Sequence, residues 1–319
     1  MRTIGVLTSG GDAPGMNAVI RAVTRAGIRK GMRVIGIRRG YNGLINGDVV
    51  ELDARSVSDI IERGGTMLYT ARCHEFRYEE GLQKAKKSCQ ELGLEGIVVV
   101  GGDGSFRGAA DLSARGIPCV GIPGTIDNDI ACTDYTIGYD TAMNTAMEMV
   151  DKLRDTAQSH DRCSVVEVMG RNAGHIALNT GIACGATFIA TKEVEFKVED
   201  IINRIQSTKQ TGKQHYIVVV SEGQGNSFEI AEKIEKATGI ESRATILGHV
   251  QRGGSPTVRD RVVASQMGYY AVELLEKGIG NRVIAMRDDK ICDFDIQEAL
   301  HMTKSIDMDL FHIASEISF

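Results

Sequence analysis

The chain has 319 residues, of which 42% are hydrophobic and 25% charged, with a formal net charge of −5. This length exceeds that at which one hydrophobic core usually stops growing, so two domains are expected. The negative charge balance excludes long-range attraction to nucleic acid or to an anionic membrane surface, so an anionic substrate must be held by local arginines.

The cysteines and the chain start predict the compartment. Seven cysteines are an odd number and contain no C-x-x-C pair, which argues against a disulfide framework or a zinc site. The first residues show no signal-peptide pattern, and the longest apolar runs fall far short of the ~20 residues that cross a bilayer. We therefore expect a soluble, cytoplasmic protein.

Short β-branched runs alternate with segments long enough for a helix, which is typical of βαβ units in a parallel sheet. The predicted strands are residues 4–8, 34–37, 97–100, 119–122, 164–168, 188–191, 216–221 and 282–286. Apolar spacing predicts helices at residues 16–29, 141–156, 198–210 and 264–277, with a further helix at residues 108–115. The predicted fold class is α/β, with two doubly wound α/β lobes, mainly parallel sheets and chain crossing between the lobes.

Two of these predicted strands end in glycine and aspartate. Residues 10–17, G-G-D-A-P-G-M-N, follow the first strand, and residues 101–105, G-G-D-G-S, follow the third. Glycines at a strand-to-helix junction let phosphate oxygens approach free backbone amides and the helix dipole. Asp103 would repel a bare phosphate unless it holds Mg²⁺ that bridges phosphate oxygens. Taken singly, the turn at residues 101–105 is more often a tight turn with a capping aspartate, and the turn at residues 10–17 is as often a loop whose Asn17 caps a helix.

Three further segments carry charged side chains. Residues 66–77 bring Arg72 and Arg77 close in sequence, and a guanidinium can bridge two phosphates. Residues 123–129, P-G-T-I-D-N-D, place two carboxylates after an apolar run, at the sheet edge where α/β folds bind ligands. The turns at residues 169–174 and 248–254 each offer a cation between glycines.

Taken together and in this order, these motifs resemble those of the bacterial ATP-dependent 6-phosphofructokinases, over essentially the whole chain. The specific motifs are P-G-T-I-D-N-D, the M-G-R turn and G-H-V-Q-R-G-G-S-P. The resemblance implies an ATP-binding lobe at residues 1–138 and 251–301, and a lobe for fructose 6-phosphate at residues 139–250 and 302–319. It also implies a homotetramer with active sites shared between subunits.

Site residues follow by matching motif positions. In catalysis, the resemblance implies Asp127 as the base for the sugar 1-hydroxyl with Thr125 beside it, and Gly11, Arg72 and Arg171 as the groups that stabilise the γ-phosphoryl. Asp103 and Asp129 resemble the Mg²⁺-side acids. Further ATP-binding positions are Tyr41, Cys73, Gly102, Gly104, Ser105 and Gly108. The substrate pocket adds Met169, Gly170, Glu222, His249 and Arg252, with Arg162 and Arg243 reaching in from a neighbouring subunit.

The resemblance also bears on the phosphoryl donor. Pyrophosphate-dependent relatives typically carry aspartate at the position of Gly104 and lysine at that of Gly124. An aspartate there would intrude on the α-phosphate of ATP, so the two glycines favour ATP. A pyrophosphate-dependent enzyme, a lipid or NAD kinase and a non-catalytic nucleotide sensor remain the alternatives.

An effector site is implied as well, with ADP or phosphoenolpyruvate as ligands. The matching positions are Arg21, Arg25, Arg55, Asp59, Arg154, Gly185, Lys213 and His215. The chain departs from the common pattern at Thr187, where many members have glutamate, at Thr211, where they have lysine, and at Ala54, where they have arginine. The glutamate is implicated in holding the effector's magnesium, so we hypothesise a retained anion site with a weakened response to Mg-ADP.

Overall fold

A computed structural model describes residues 2–318. These residues form eleven strands: β1 (Thr3–Thr8), β2 (Arg33–Ile37), β3 (Val49–Leu52), β4 (Gly96–Gly101), β5 (Cys119–Pro123), β6 (Cys163–Val168), β7 (Phe188–Ala190), β8 (Tyr216–Ser221), β9 (Ser242–Ile246), β10 (Arg282–Arg287) and β11 (Lys290–Asp295). Their helices are α1 (Met16–Arg29), α2 (Gly40–Asn46), α3 (Glu79–Leu92), α4 (Asp103–Ser113), α5 (Tyr139–Ser159), α6 (His175–Ala183), α7 (Val198–Lys209), α8 (Ser227–Thr238), α9 (Val258–Glu276), α10 (Ile296–His301) and α11 (Met308–Ile317).

The described chain divides into two compact units, and each has its own sheet. The first unit comprises the chain up to Ile126, Ile130–Thr141 and Arg252–Lys304, and the second comprises Asp127–Asp129, Ala142–Gln251 and the chain from Ser305. The chain therefore passes from one unit to the other several times. The α/β fold class, with mainly parallel sheets, is confirmed.

The sheet of the first unit has the order β11-β10-β5-β4-β1-β2-β3, in which only β3 and β11 run antiparallel to their neighbours among the described strands. Strands β1 and β4 are completely buried because helices cover both faces, which explains their continuous apolar sequences. From β1 the chain moves outward to β2, and from β4 it moves outward to β5 on the other side. A topological switch point therefore lies between β1 and β4, where open α/β sheets bind ligands at the carboxyl ends of the strands.

The sheet of the second unit has the order β7-β8-β6-β9, and all its described strands are parallel. Its core is built from the buried residues of β6 and β8 together with the inner faces of α7 and α8, among them Tyr216, Ile201 and Ile234. The carboxyl ends of β6, β8 and β9 lie side by side, which places the turns that follow them at one edge.

Across the described part of the chain, no helix is both long enough and apolar enough to cross a membrane.

Candidate active site

The two glycine turns of the first unit lie side by side at its switch point. The amide of Ser9 donates to the carbonyl of Val100 over 2.9 Å, and the Ser105 hydroxyl donates to the Ser9 carbonyl over 3.2 Å. Gly101 permits this approach, because a Cβ atom there would lie 2.5 Å from the Ser9 oxygen. The structure thus brings together the segments after β1 and β4 that the sequence singled out separately.

The outer side of the second turn is open. A Cβ atom on Gly102 or Gly104 would have no heavy atom within 4 Å, so the backbone here is accessible to a ligand. Helix α4 begins at Asp103 itself, five residues earlier than the expected start at residue 108. Gly101 therefore ends β4, Gly102 is the N-cap, and Asp103–Ser105 begin α4, whose positive dipole end favours phosphate binding. Asp103 is exposed on this turn.

Tyr41 forms a buried platform behind the same turn. Its ring stacks on Phe76 with centroids 4.0 Å apart, and its hydroxyl donates to the Ser105 carbonyl over 2.5 Å. Burial raises the pKa of Tyr41 well above its ordinary value, so the phenol remains a neutral donor. A Cβ on Gly108 would lie 2.8 Å from the Tyr41 ring, which explains the glycine inside α4. Arg72 is exposed on the nearby loop, and Cys73 is half-buried against the same core.

Gly11 lies directly under the guanidinium of Arg252. A Cβ on Gly11 would come within 2.2 Å of Arg252 Nη1, so a side chain there would push this guanidinium aside. Arg252 also lies 3.9 Å from the Asp12 carboxylate, and its buried Nε has no hydrogen-bond partner within residues 2–318. The structure therefore places Arg252 at the turn after β1, where an anion would find both backbone amides and a cation.

The P-G-T-I-D-N-D segment continues from β5 at the same edge as far as Ile126, and Asp127–Asp129 belong to the second unit. The Gly124 amide donates to the Gly101 carbonyl over 3.0 Å, and the Thr136 hydroxyl donates to the Thr125 carbonyl over 2.7 Å. Asp127 is buried, with 5% exposure, while Asp129 is half-buried. Asn128 between them has φ +51°, a left-handed conformation that asparagine tolerates. The two carboxylates therefore differ in their exposure to solvent.

A buried carboxylate fixes the segment that holds Thr125. Asp260, at 0% exposure in α9, accepts hydrogen bonds from Tyr135 Oη over 2.5 Å, Gly138 N over 2.7 Å and Thr141 N over 2.9 Å. Burial raises the pKa of Asp260, and the hydrogen bonds from Thr141 and Tyr135 oppose that rise. Through Thr136 this network reaches the backbone of Thr125.

In the second unit, the turns after β6, β8 and β9 meet at the carboxyl edge. Arg171 N donates to Glu222 Oε1 over 3.1 Å, and Met169 N donates to Gln251 Oε1 over 3.3 Å. Gln251 is completely buried and belongs to the 3₁₀ turn Gly248–Arg252, on which His249 is exposed. The structure therefore groups four of the predicted substrate residues: Met169, Gly170, Arg171 and Glu222.

Arg171 has an unusual backbone. Its φ is +58°, a left-handed value that is uncommon for a residue with a long side chain. Gly223 packs against it so closely that a Cβ would lie 2.4 Å from the Arg171 carbonyl oxygen. Backbone conformations of this kind concentrate at functional sites, where surrounding contacts hold them in place. The arginine is exposed at the sheet edge.

Arg162 and Arg243 lie elsewhere in the second unit. They stand at the amino ends of β6 and β9, where Ser164 pairs with Arg243. Strand β6 separates them from Met169 and Arg171 by seven residue steps or more, which is roughly 20 Å at the usual rise per residue. One chain therefore does not bring these two arginines to the pocket formed by Met169, Arg171 and Glu222.

The predicted effector residues form separate groups in the two units. In the first unit, Arg21 and Arg25 lie one turn apart on α1, and Arg55 and Asp59 are exposed after β3. In the second unit, Arg154 donates from Nη2 to the carbonyl of Cys184, next to Gly185. Burial lowers the pKa of His215, and Arg154 and Lys213 lower it further. The pKa of Lys213 is lowered by burial and by Arg154. Arg154, Lys213 and His215 therefore lie close enough together to form one basic patch, which would attract an anion.

The chain does not provide a preformed metal cage in its described part. No three His, Cys, Asp or Glu side chains within residues 2–318 are grouped so that they could hold an ion. A hard cation held by one or two carboxylates and completed by substrate oxygens has no need of such a cage, and this is the usual arrangement for Mg²⁺ with nucleotide phosphates.

Comparison with known proteins agrees with this geometry. The model of the family described as phosphofructokinase matches residues 3–275. The chain belongs to the phosphofructokinase family. The ATP-dependent 6-phosphofructokinase of Clostridium botulinum strain Hall is 58% identical over 318 residues, and that of Clostridium tetani is 55% identical over 319 residues. Each of these matches covers 100% of both chains.

A solved phosphofructokinase has the same fold. The structure from Saccharomyces cerevisiae has a TM-score of 0.91 at 32% identity, and the match covers 100% of this chain and 48% of the yeast chain. The resemblance drawn from the motifs is confirmed at the level of the family.

Sequence reasoning missed the contacts of several residues that shape this candidate site. Asn17 is not a helix cap, because its side chain accepts from Met67 N over 2.8 Å and donates to the Arg63 carbonyl over 3.0 Å. Gln251 and Asp260 are buried and bind backbone amides. Gln251 could have been found from the sequence, because it is a polar residue inside a glycine-rich motif. Asp260 had no such local signal, because its partners lie more than 100 residues away in sequence.

Proposed function

We propose that this protein is a glycolytic ATP-dependent 6-phosphofructokinase. It transfers the γ-phosphoryl group of ATP to the 1-hydroxyl of D-fructose 6-phosphate, giving fructose 1,6-bisphosphate and ADP. Full-length identity of 58% to a relative named as this enzyme supports the activity. The structural observation that carries the proposal is the pair of glycine turns at the switch point, with open backbone at Gly102 and Gly104.

The chemistry requires a proton acceptor and compensation of negative charge. Asp127 accepts the proton of the sugar hydroxyl as the oxygen attacks the γ-phosphorus, with Thr125 beside it. Gly11, Arg72 and Arg171 stabilise the charge that spreads over the transferring group, since phosphoryl transfer depends mainly on positioning and electrostatics. The nucleotide binds along the turn of residues 101–105, with Tyr41, Cys73 and Gly108 behind it. In this division the first unit binds ATP and the second binds the sugar phosphate.

Family members use a divalent cation, and we propose Mg²⁺ with Asp103 and Asp129 as its carboxylate ligands. When bound, the ion neutralises phosphate charge. The oxygen-only donors fit a hard cation, and the exposure of Asp103 at the first turn of α4 leaves room for phosphate oxygens beside it. The positive charge of the ion would offset the repulsion between the Asp103 carboxylate and the phosphates bound at this turn.

We propose a homotetramer in which Arg162 and Arg243 bind the 6-phosphate in the site of a neighbouring subunit. The sheet geometry supports this assignment, because the two arginines lie at the amino edge of their sheet and Met169, Arg171 and Glu222 lie at its carboxyl edge. We propose His249 and Arg252 as further substrate-binding residues. We expect the enzyme to work in the cytoplasm.

Regulation is part of the proposal. The basic patch of Arg154, Lys213 and His215 supports an anionic effector such as ADP or phosphoenolpyruvate. Gly185 in the second unit, together with Arg21, Arg25, Arg55 and Asp59 in the first, belongs to the same assignment. The buried Thr187 supplies no carboxylate for a cation, so we expect a weak response to Mg-ADP.

The direct test is an initial-rate assay of the purified protein with fructose 6-phosphate. Turnover with ATP and Mg²⁺, and little with pyrophosphate, is expected. Faster turnover with pyrophosphate would show that pyrophosphate is the donor and not ATP. No turnover with either donor would favour a non-catalytic nucleotide sensor. Rates at subsaturating fructose 6-phosphate, with added ADP or phosphoenolpyruvate, test the effector site. Strong activation by ADP would contradict the weakened response.

Subunit sharing has a separate test. Arg162→Ala subunits and Asp127→Asn subunits should each be nearly inactive alone at low fructose 6-phosphate, and mixed tetramers should regain part of the activity. Verified mixed tetramers without any gain would contradict a shared site.

A further inference from the structure

Arg162 and Arg243 are held by one carboxylate, that of Glu241. Arg162 Nε donates to Glu241 Oε2 over 2.8 Å, and Arg243 Nε donates to Oε1 over 3.0 Å. Arg243 Nη2 also donates to Oε1, over 2.5 Å. We propose that Glu241 is a positioning residue for substrate binding, which presets both arginines to receive the 6-phosphate. This inference rests on the proposed function of the two arginines.

The register of the sheet creates this arrangement. Strands β6 and β9 are parallel neighbours, and Cys163 pairs with Ser242. Arg162 and Glu241 precede those two residues, so they face each other at the amino ends of the strands. Cys163 N donates to the Glu241 carbonyl over 2.9 Å, which fixes the backbone of Glu241 as well. The carboxylate therefore has a defined place between the arginines.

The way in which the hydrogen bonds are made leaves the phosphate-binding groups available. Glu241 occupies the Nε of Arg162, and within residues 2–318 neither Nη atom of Arg162 makes a hydrogen bond. Nη1 of Arg243 is likewise uncommitted in the described chain. A guanidinium presents five donors in a fixed plane, so a carboxylate on one edge orients the opposite edge. The free edges can then bind phosphate oxygens without breaking the contacts to Glu241.

Electrostatics supports an ionised Glu241. The hydrogen bonds from Arg162, and then from Arg243, lower its pKa below the ordinary value, so the carboxylate is present throughout the neutral range. Two positive charges against one negative charge still leave a net positive site for a phosphate. The Arg243 side chain is 70% exposed, and without Glu241 it would sample many rotamers. Long flexible side chains lose considerable freedom on binding, and presetting them removes part of this cost.

The test compares variants by their KM for fructose 6-phosphate in the full-length enzyme. Glu241→Ala is expected to raise this KM by about three- to tenfold, because two rotamer-rich side chains must then be ordered by the substrate. Glu241→Gln, which keeps an acceptor oxygen, should raise it less. kcat at saturating substrate and the KM for ATP should stay within about twofold of the parent values, since Glu241 acts only through the two arginines that bind the 6-phosphate.

Glu232→Gln is the matched control, because this exposed acid pairs with Lys236 one helical turn away on α8. It removes the same charge from a surface ion pair that includes neither Arg162 nor Arg243. Thermal midpoints of all variants identify any general loss of folding. The Gln variant keeps the test valid if the Ala variant folds poorly.

A double-mutant cycle separates positioning from a purely structural role. In the Arg162→Ala, Arg243→Ala background, Glu241→Ala should have little further effect, because its partners are gone. An unchanged or lowered KM in Glu241→Ala, or full additivity in the cycle, would overturn the positioning role while leaving the proposed function intact. If Arg162→Ala and Arg243→Ala themselves leave the KM unchanged, the assignment of both arginines fails, and the inference fails with it.

Discussion

Gly104→Asp tests why this enzyme uses ATP. A Cβ at residue 104 meets no heavy atom within 4 Å, so the new side chain costs nothing in packing. The residue lies in the first turn of α4, where an extra carboxylate interacts favourably with the helix dipole by about 0.3–1 kcal/mol. The folded protein should therefore tolerate the substitution, and any loss of activity must come from the ligand.

The new charge acts against the nucleotide. A carboxylate at roughly 5 Å from one phosphate charge, at an effective dielectric constant of about 20–40, is repelled by about 1.5–3 kcal/mol. The KM for ATP should therefore rise by roughly 10- to 100-fold, since every 1.4 kcal/mol is a factor of ten. The assay is the initial rate against ATP concentration at saturating fructose 6-phosphate.

Gly104→Asn is the matched control, because asparagine has the same size as aspartate without its charge. It should raise the KM for ATP much less than Gly104→Asp. Equal effects of the two substitutions would show that size alone matters, and the absence of any effect in Gly104→Asp would refute the placement of the nucleotide on this turn. Gly124→Lys should behave differently, because its Cβ would lie 2.9 Å from Val100 Cγ1 and the buried site would be overpacked at a cost of about 1–3 kcal/mol.

Three further predictions concern the other assigned groups. Asp127→Asn should lower kcat by about 10²- to 10⁴-fold with little change in fructose 6-phosphate binding, the usual effect of losing a general base, and near-normal turnover would contradict the assignment. Phosphoenolpyruvate should bind more tightly as the pH falls below 6.5, because burial, Arg154 and Lys213 lower the pKa of His215 and keep it neutral until then; His215→Gln should flatten this dependence in binding titrations, and parallel profiles would count against it. Asp260→Ala should destabilise the fold by about 3–5 kcal/mol in urea unfolding, since it strands buried donors of Tyr135, Gly138 and Thr141, whereas Asp155→Ala, at an exposed position within α5, should change stability little. A small effect of Asp260→Ala would show that the network is dispensable.

The buried strands were predictable from sequence because burial on both faces imposes a continuous apolar run. Helix α1 was predictable because burial of one face imposes apolar residues at three- and four-residue spacing. The structure gives α1 the predicted bounds of Met16–Arg29, and all eight predicted strands are present within two residues at either end. Three strands were not predicted, β3, β9 and β11, and each lies at a sheet edge. Their residues are mostly half-buried or exposed, so no continuous apolar run marks them.

The sequence by itself determined the α/β class, the family resemblance and the glycine turns, because strand runs and local motifs are encoded by neighbouring residues. Only the tertiary structure decided that the turns after β1 and β4 meet at a switch point, and that Arg252 lies over Gly11. It also decided that Asp260 binds Tyr135, and that Glu241 joins Arg162 to Arg243. These contacts join segments far apart in the chain, and strand order and register bring them together.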